Sequence, residues 1–260
     1  MAREDIGISL DGHVATVELR RPPNNFIDID LMDGLASALE DLDKEPQCRS
    51  VVLAAAGKHF CAGGNLKQRL ETEARGETYW APTRHIYKEA RRLVETRKPI
   101  VAAVHGSAIG AGLGLAVVAD FRVTCKEARF SANFTAIGFH PGFGLTYTLP
   151  RLIGQQRARW LFFTGRRVPG DEAYAMGLAD RLVDQADVRT AAQEMAAEIA
   201  KAGPLAVQAT RESLNAEYIP AFRAATERES FEQNWLRATS DYQEGVQASA
   251  DRREPQFKGN

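Results

Sequence analysis

Twice in this chain of 260 residues, a short apolar run gives way to a glycine-rich turn and then to a helical pattern. Residues 50–56 lead through Gly57 into Phe60-Cys61-Ala62-Gly63-Gly64-Asn65-Leu66-Lys67. Residues 100–105 lead into His105-Gly106-Ser107-Ala108-Ile109-Gly110-Ala111-Gly112-Leu113-Gly114-Leu115. Apolar runs of this length, bounded by turn residues, read as buried strands. Small residues after each strand let a ligand approach the backbone, and the first N–H groups of a helix have no partner inside it. The helix dipole adds positive potential at the same place. One such turn says little. Two of them, each directly after a strand, can converge on one oxygen as an oxyanion hole. Close packing of a buried helix on a strand accounts for the second turn equally well, and both readings stand at this level.

Two other chemistries are weighed against these turns. Gly106, Gly110 and Gly112 after a strand are similar to a dinucleotide-binding turn, but the strict GxGxxG spacing fails at Leu115. None of the nine serines sits in a GxSxG elbow, which argues against a serine hydrolase. Charge is nearly balanced, with 33 Lys+Arg against 34 Asp+Glu, so the electrostatic footprint of a nucleic-acid binder is missing. Cys48, Cys61 and Cys125 form no CxxC pair, so neither a disulfide framework nor a thiolate metal site is expected. The most apolar stretch, residues 100–118, holds His105 and four glycines, unlike a membrane span. The N-terminal residues carry Glu4 and Asp5 and resemble no leader, so a cytoplasmic protein is expected.

Along the chain, residues 6–10 and 14–19 alternate around Asp11-Gly12 and predict a hairpin with a type I′ turn. Leu31, Leu35, Ala38 and Leu42 follow at helical spacing, with Asp28 or Asp30 as N-cap. Residues 79–96 predict a longer helix ended by Lys98-Pro99. After about Arg151 the pattern is mostly helical. Val188, Ala191, Ala192, Met195, Ala196 and Ile199 form one apolar stripe, and Phe231/Trp235 and Tyr242/Val246 are spaced four apart. The outline is α/β with an added helical region.

These residues together resemble the crotonase (enoyl-CoA hydratase/isomerase) superfamily over nearly the whole chain. The resemblance includes Leu19-Arg20-Arg21-Pro22 with Asn25, both glycine turns, the segment of residues 98–104, and Phe139-His140-Pro141-Gly142-Phe143-Gly144. It continues through Leu161-Phe162-Phe163-Thr164-Gly165, Ala175-Met176-Gly177-Leu178-Ala179 and the C-terminal residues 252–259. It implies a spiral of ββα units over residues 1–200 and a helical oligomerisation and capping region over 201–260. It also implies assembly as a homotrimer or homohexamer. The substrate would be an acyl-CoA thioester, with no metal and no cofactor beyond the CoA it carries. The N–H groups of Gly64 and Ala111 would bind the thioester carbonyl and stabilise the enolate that develops there. The backbone around Ala62 and Leu66 would hold the CoA arm. Lys58, Lys67, Phe257 and Lys258 match positions that meet the adenine and phosphates, and as surface residues they are equally explained by solvation.

The pattern departs from the hydratases at the carboxylates. Hydration uses two glutamates, one to deprotonate water and one to handle the proton at the α-carbon. The first position reads Gly114 and the second, by ungapped alignment, Phe134. An efficient two-glutamate hydratase is therefore not expected. His140 stands where relatives that process aromatic acyl-CoAs carry an aspartate, and an imidazole can exchange protons at neutral pH. A structural histidine bonded to backbone beside Pro141 is the competing account. Trp80 and Tyr87, on the helix preceding Lys98-Pro99, would shape the acyl pocket together with Phe134 and Phe139, or pack beneath it. His85 on the same helix would line that pocket and is a second acid/base candidate, with a structural histidine again the competing account. The rival from another class is an acyl-CoA-binding protein that keeps this scaffold without turnover.

Overall fold

A computed structural model describes residues 4–66, 68, 71, 75 and 86–260. The strands are β1 (Ile6–Asp11), β2 (Val14–Leu19), β3 (Ser50–Ala55), β4 (Ile100–Val104), β5 (Ser107–Ile109), β6 (Phe121–Thr124), β7 (Arg129–Ser131), β8 (Val168–Pro169) and β9 (Arg181–Leu182). The main sheet runs β1-β2-β3-β4-β6-β9, antiparallel only at the β1–β2 hairpin and parallel beyond it. Every residue of β3 and of β4 is buried, as parallel strands covered on both faces require. That is why these segments read as unbroken apolar runs. A second sheet, β5-β7-β8, carries the chain of the second glycine turn away from the main one.

The hairpin forms with a shifted turn. Asp11 pairs with Val14, so Gly12 and His13 are the central residues, and Gly12 has φ +55°. Glycine at the first central position is the type II′ requirement, which replaces the type I′ turn expected at Asp11-Gly12. Helix α1 (Ile29–Lys44) starts at Asp28, whose Oδ1 accepts from Leu31 N–H at 2.8 Å, and buries Leu31, Leu35, Ala38 and Leu42. Helix α2 (Ile86–Val94) is the part of the predicted 79–96 helix that lies within the described residues. Arg92 on α2 binds Asp33 and Glu40 on α1, each at 2.6 Å, and so fixes the two helices together.

The remaining helices are α3 (Ala111–Val118), α4 (Leu145–Ile153), α5 (Gln155–Thr164), α6 (Gly170–Ala175), α7 (Val188–Ala200), α8 (Pro204–Asn215), α9 (Tyr218–Leu236) and α10 (Ser240–Asp251). Helix α7 lays its apolar stripe across β2, β3, β4 and β6, and Ser50 Oγ donates to Ala196 O at 2.8 Å. On α9 the periodicity misleads. Phe231 and Trp235 are exposed, whereas Phe222, Thr226, Glu229 and Gln233 form the buried face. Polar side chains on that face find partners inside: Arg91 Nε donates to Thr226 Oγ1 at 3.0 Å, and Glu229 and Gln233 bond the loops beside the cavity described next. Among the described residues, no helix is long and apolar enough to cross a membrane.

Candidate functional site

Main-chain hydrogen bonds stitch the two glycine turns together. Cys61 N–H donates to Ser107 O at 2.9 Å and Ile109 N–H donates to Cys61 O at 3.0 Å. Ile27 N–H holds Gly63 O at 2.8 Å, and Gly110 N–H reaches Ser131 O of β7 at 2.8 Å. Contact is close enough to dictate sequence: a Cβ on Gly112 would lie 2.1 Å from Cys61 O. One on Gly63 would lie 2.7 Å from Ile109 O and 3.8 Å from Ala111 N. Close packing of the second turn is thus real, and it is what brings the two turns side by side. Ala111 is the first residue of α3, so its N–H has no intrahelical acceptor. Neither Gly64 N–H nor Ala111 N–H is donated to any acceptor among the described residues. Asn65 Oδ1 accepts from Gln68 N–H at 3.1 Å, as an N-cap side chain does.

These two donors stand on the wall of a mainly apolar cavity of about 820 Å³, counting its open mouth. Ile27, Leu66, Ile86, Phe134, Ile137 and Phe143 supply much of its surface. Its polar side chains are Asn65, Asn133, Tyr87 and Gln233. Tyr87 O–H donates to Gln233 Oε1 at 2.8 Å, and Gln233 Nε2 donates to His140 O at 2.9 Å. Burial pushes the Tyr87 phenol well above its ordinary value, so it remains neutral and able to donate. No carboxylate, histidine or cysteine is among the described residues of the wall. Helix α3 reaches this cavity without a side chain at Gly114: a Cβ there would lie 2.6 Å from the Cβ of Phe143. Phe143 holds that place with φ +63°, a conformation unusual for an aromatic residue.

Residues 10–260 match the family described as enoyl-CoA hydratase/isomerase. The 1,2-epoxyphenylacetyl-CoA isomerase of Escherichia coli is 30% identical over 250 residues, 95% of each chain. The chain belongs to the enoyl-CoA hydratase/isomerase family. A short-chain-enoyl-CoA hydratase of Clostridium acetobutylicum is also 30% identical, over 83% of this chain and 82% of its own length. The crystal structure of an enoyl-CoA hydratase/isomerase from Pseudoalteromonas atlantica superposes with a TM-score of 0.88 at 28% identity, covering 98% of this chain and all of that one. The fold is therefore the crotonase fold, and the protein is an enzyme of the hydratase/isomerase family. Because one relative is a hydratase and another an isomerase, similarity leaves the reaction to be argued from the site.

Ala62, Gly64, Leu66, Ala111 and Phe134 stand together around this one cavity. Lys67, Trp80 and His85 lie outside the described residues. Lys58 is exposed, and its carbonyl packs where a Cβ on Gly106 would be, 2.3 Å away. His140 is not brought to the acyl cavity. Its Nδ1 lies 2.7 Å from Pro141 O, and its ring faces a different groove that also contains Phe257 and Trp235. The local reason is the turn: residues 141–144 swing Phe143, not His140, against α3. Lys258 is likewise remote from the cavity within this chain, its N–H donating to Asp241 Oδ1 at 2.6 Å on the first turn of α10. Among the described residues, no group of three or more His, Cys, Asp or Glu could hold a metal ion.

Sequence reasoning missed Gln233, Asn133 as a wall residue, and the part played by Phe143. It also missed Glu229, which is fully buried beneath the cavity. The Glu229 carboxylate accepts from Gly144 N–H at 2.7 Å, from Thr146 N–H at 2.9 Å and from Thr146 O–H at 2.6 Å. It caps the start of α4 and so fixes the turn that carries Phe143. Burial lifts its pKa to about 7, against the three donors, which act to lower it. The available signal was the spacing of Phe222, Thr226, Glu229 and Gln233, which places all four on one helical face.

Proposed function

We propose that this enzyme binds an acyl-CoA thioester with its carbonyl oxygen between the N–H groups of Gly64 and Ala111, and stabilises the enolate formed there. The observation that carries the reading is the pair of uncommitted main-chain donors opening on an apolar cavity. Each donor of this kind contributes about 2.7–4 kcal/mol to lowering a barrier when it is aimed at developing charge. The backbone of Ala62 and Leu66 would carry the CoA arm past the donors. Lys58, Lys67, Phe257 and Lys258 would meet its adenine and phosphates, the last two from a neighbouring subunit of a homotrimer or homohexamer. No cofactor beyond the CoA of the substrate enters this scheme.

The two-glutamate hydration of simple enoyl-CoAs is not part of it. Deprotonating water needs a base within hydrogen-bond reach. Asn133 can orient a water or a hydroxyl and cannot take its proton. Phe143 fills the space a side chain at position 114 would use, so no carboxylate can stand there as it would in a hydratase. With no base in the described wall, the chemistry left is one in which a bond of the substrate supplies the enolate's electron pair, as when an α-carboxylate leaves as CO2 and the enolate is then reprotonated at carbon by water. Purified protein should bind acetyl-CoA and longer acyl-CoAs by calorimetry. It should hydrate crotonyl-CoA well below the roughly 1–10³ s⁻¹ typical of enzymes. Turnover within that range would overturn the reading. The lack of a base in the described wall also favours a second reading, an acyl-CoA-binding protein without turnover. Mass spectrometry of a mixed acyl-CoA pool separates the two: bound ligand with no new product supports the binder.

A further inference from the structure

A second cavity lies at the opposite end of α3 from Ala111, about 12 Å away along the helix at 1.5 Å per residue. It has a volume of about 740 Å³, counting its mouth, and shares no wall residue with the acyl cavity. Its wall carries three guanidinium groups, Arg122, Arg151 and Arg211, against one carboxylate, Asp120. That carboxylate is already engaged. Arg211 Nε binds both its oxygens, at 2.9 and 3.0 Å, and Ile100 N–H donates to it at 2.8 Å. Arg122 is committed to Leu178 O and Ala119 O, each at 2.7 Å, and pairs with Asp180 Oδ2 at 3.2 Å. It brings the cavity neither a free donor nor an uncompensated charge.

Four further groups at this cavity have no hydrogen-bond partner among the described residues. The Arg151 guanidinium has no carboxylate; it stacks over the Tyr147 ring at 5.1 Å, which fixes its plane. The Tyr218 ring lies 5.6 Å from Tyr147, and burial lifts its phenol to about 12, so its hydroxyl stays a donor. The Asn215 amide reaches the same wall. Thr148 is only 4% exposed, and its Oγ1 is orphaned. A buried hydroxyl without a partner costs about 1–3 kcal/mol, and native structures seldom carry one without an oxygen from water or ligand nearby.

We propose that this cavity is a binding site for a compact oxyanion, the carboxylate or phosphoryl group of a small molecule, held by Arg151 with Tyr218 and Asn215. The rigid fork of Arg151 suits two oxygens of such a group. Arg122 and Arg211 are each paired with a carboxylate, Asp180 and Asp120, so Arg151 brings the positive charge that has no carboxylate partner among the described residues. The site is separate from the thioester site and does not depend on the reading given above for that site.

Calorimetry on the full chain at fixed ionic strength tests it, with inorganic phosphate and malonate as probes. The titrations are done with and without excess CoA, because CoA phosphates bring their own anion site. Saturable binding that survives CoA is expected, with the preferred probe telling phosphoryl from carboxylate. Arg151 is exposed, so Arg151→Gln should fold normally and weaken that binding about tenfold or more, the loss of one charge-assisted contact. Tyr218→Phe should weaken it by a smaller factor in the same direction. Absence of saturable binding by either probe would overturn the proposal. So would binding that Arg151→Gln leaves unchanged, or binding that CoA abolishes.

Discussion

Phe143 and Gly114 should behave as one unit, and their coupling can be worked from the geometry. An alanine at 114 gains about 0.8–1 kcal/mol in helix propensity over glycine. Against this, its Cβ would lie 2.6 Å from Phe143 Cβ and 2.7 Å from Cδ1, contacts near the stem of the ring that no rotamer relieves. Overpacking of that kind costs about 1–3 kcal/mol, so Gly114→Ala alone should lie between neutral and about 2 kcal/mol destabilising. Phe143→Gly removes a side chain that is 1% exposed, its Cβ included, and should cost about 3–5 kcal/mol, somewhat offset because glycine accepts the φ of +63° at this position. With both the Cβ and the ring gone, the methyl introduced by Gly114→Ala has space and keeps its propensity gain. The double variant should therefore be more stable than Phe143→Gly alone, with a coupling of about 1–3 kcal/mol. Guanidinium unfolding at one protein concentration measures all four proteins. Additivity within about 0.5 kcal/mol would refute the reasoning, because it would mean that Phe143 does not occupy the place of a side chain at 114. The same Phe143→Gly protein should bind bulky acyl-CoAs that the wild type excludes.

Gly112→Ala drives a Cβ to 2.1 Å from Cys61 O and must separate the two turns, so kcat/KM should fall about tenfold or more beyond any loss of stability; an active, normally stable variant would show that this contact does not set the donors. Glu229 binds its proton more tightly folded, at about 7, than at its ordinary 4.5, so the share of stability it contributes is complete below pH 4.5 and is lost as pH rises through 7. Relative to Glu229→Gln, the wild type should lose up to about 3 kcal/mol across that window in pH-dependent unfolding; a flat difference would place the carboxyl at its ordinary value. His140→Ala should leave acyl-CoA binding and turnover within about twofold, the ring being bonded to Pro141 O and turned to another groove; lost turnover would return the histidine to the chemistry.

Much of the architecture was legible because it follows from short-range rules. The buried strands 50–55 and 100–104 showed as continuous apolar runs, and Asp28 showed as a cap before a periodic helix. The two glycine turns were legible for the same reason, since glycine spacing after a strand is local; that their free N–H groups meet one oxygen is the proposal made above. What failed depended on distant partners. Phe231 and Trp235 read as an apolar stripe, yet the buried face of α9 is the one carrying Glu229 and Gln233. Those two are buried because donors 83 to 146 residues away in sequence satisfy them. No periodicity encodes a partner at that distance. His140 was misplaced by the turn that follows it, whose positive φ at Phe143 and Gly144 reverses which side chain faces the cavity.

The division of labour in the site explains how such a chain can change its chemistry and keep its fold. Both donors belong to the main chain, held by strand-like bonds between Cys61 and residues 107–109, and no side-chain replacement short of proline deletes an N–H. Only a Cβ where there is no room, as at Gly112, can move them. The groups that would decide proton transfer are side chains from separate segments: position 114 on α3, Phe134 before a short 3₁₀ turn, Phe143 in the 141–144 turn, Tyr87 on α2 and Gln233 on α9. Each can vary without disturbing the bonds that hold the turns. A side chain at 114 and a Cβ at 143 exclude each other, since the two Cβ atoms would lie 2.6 Å apart. Restoring a carboxylate with Gly114→Glu therefore cannot by itself supply a base. It must be combined with Phe143→Gly, and even then the second proton site at Phe134 stays apolar.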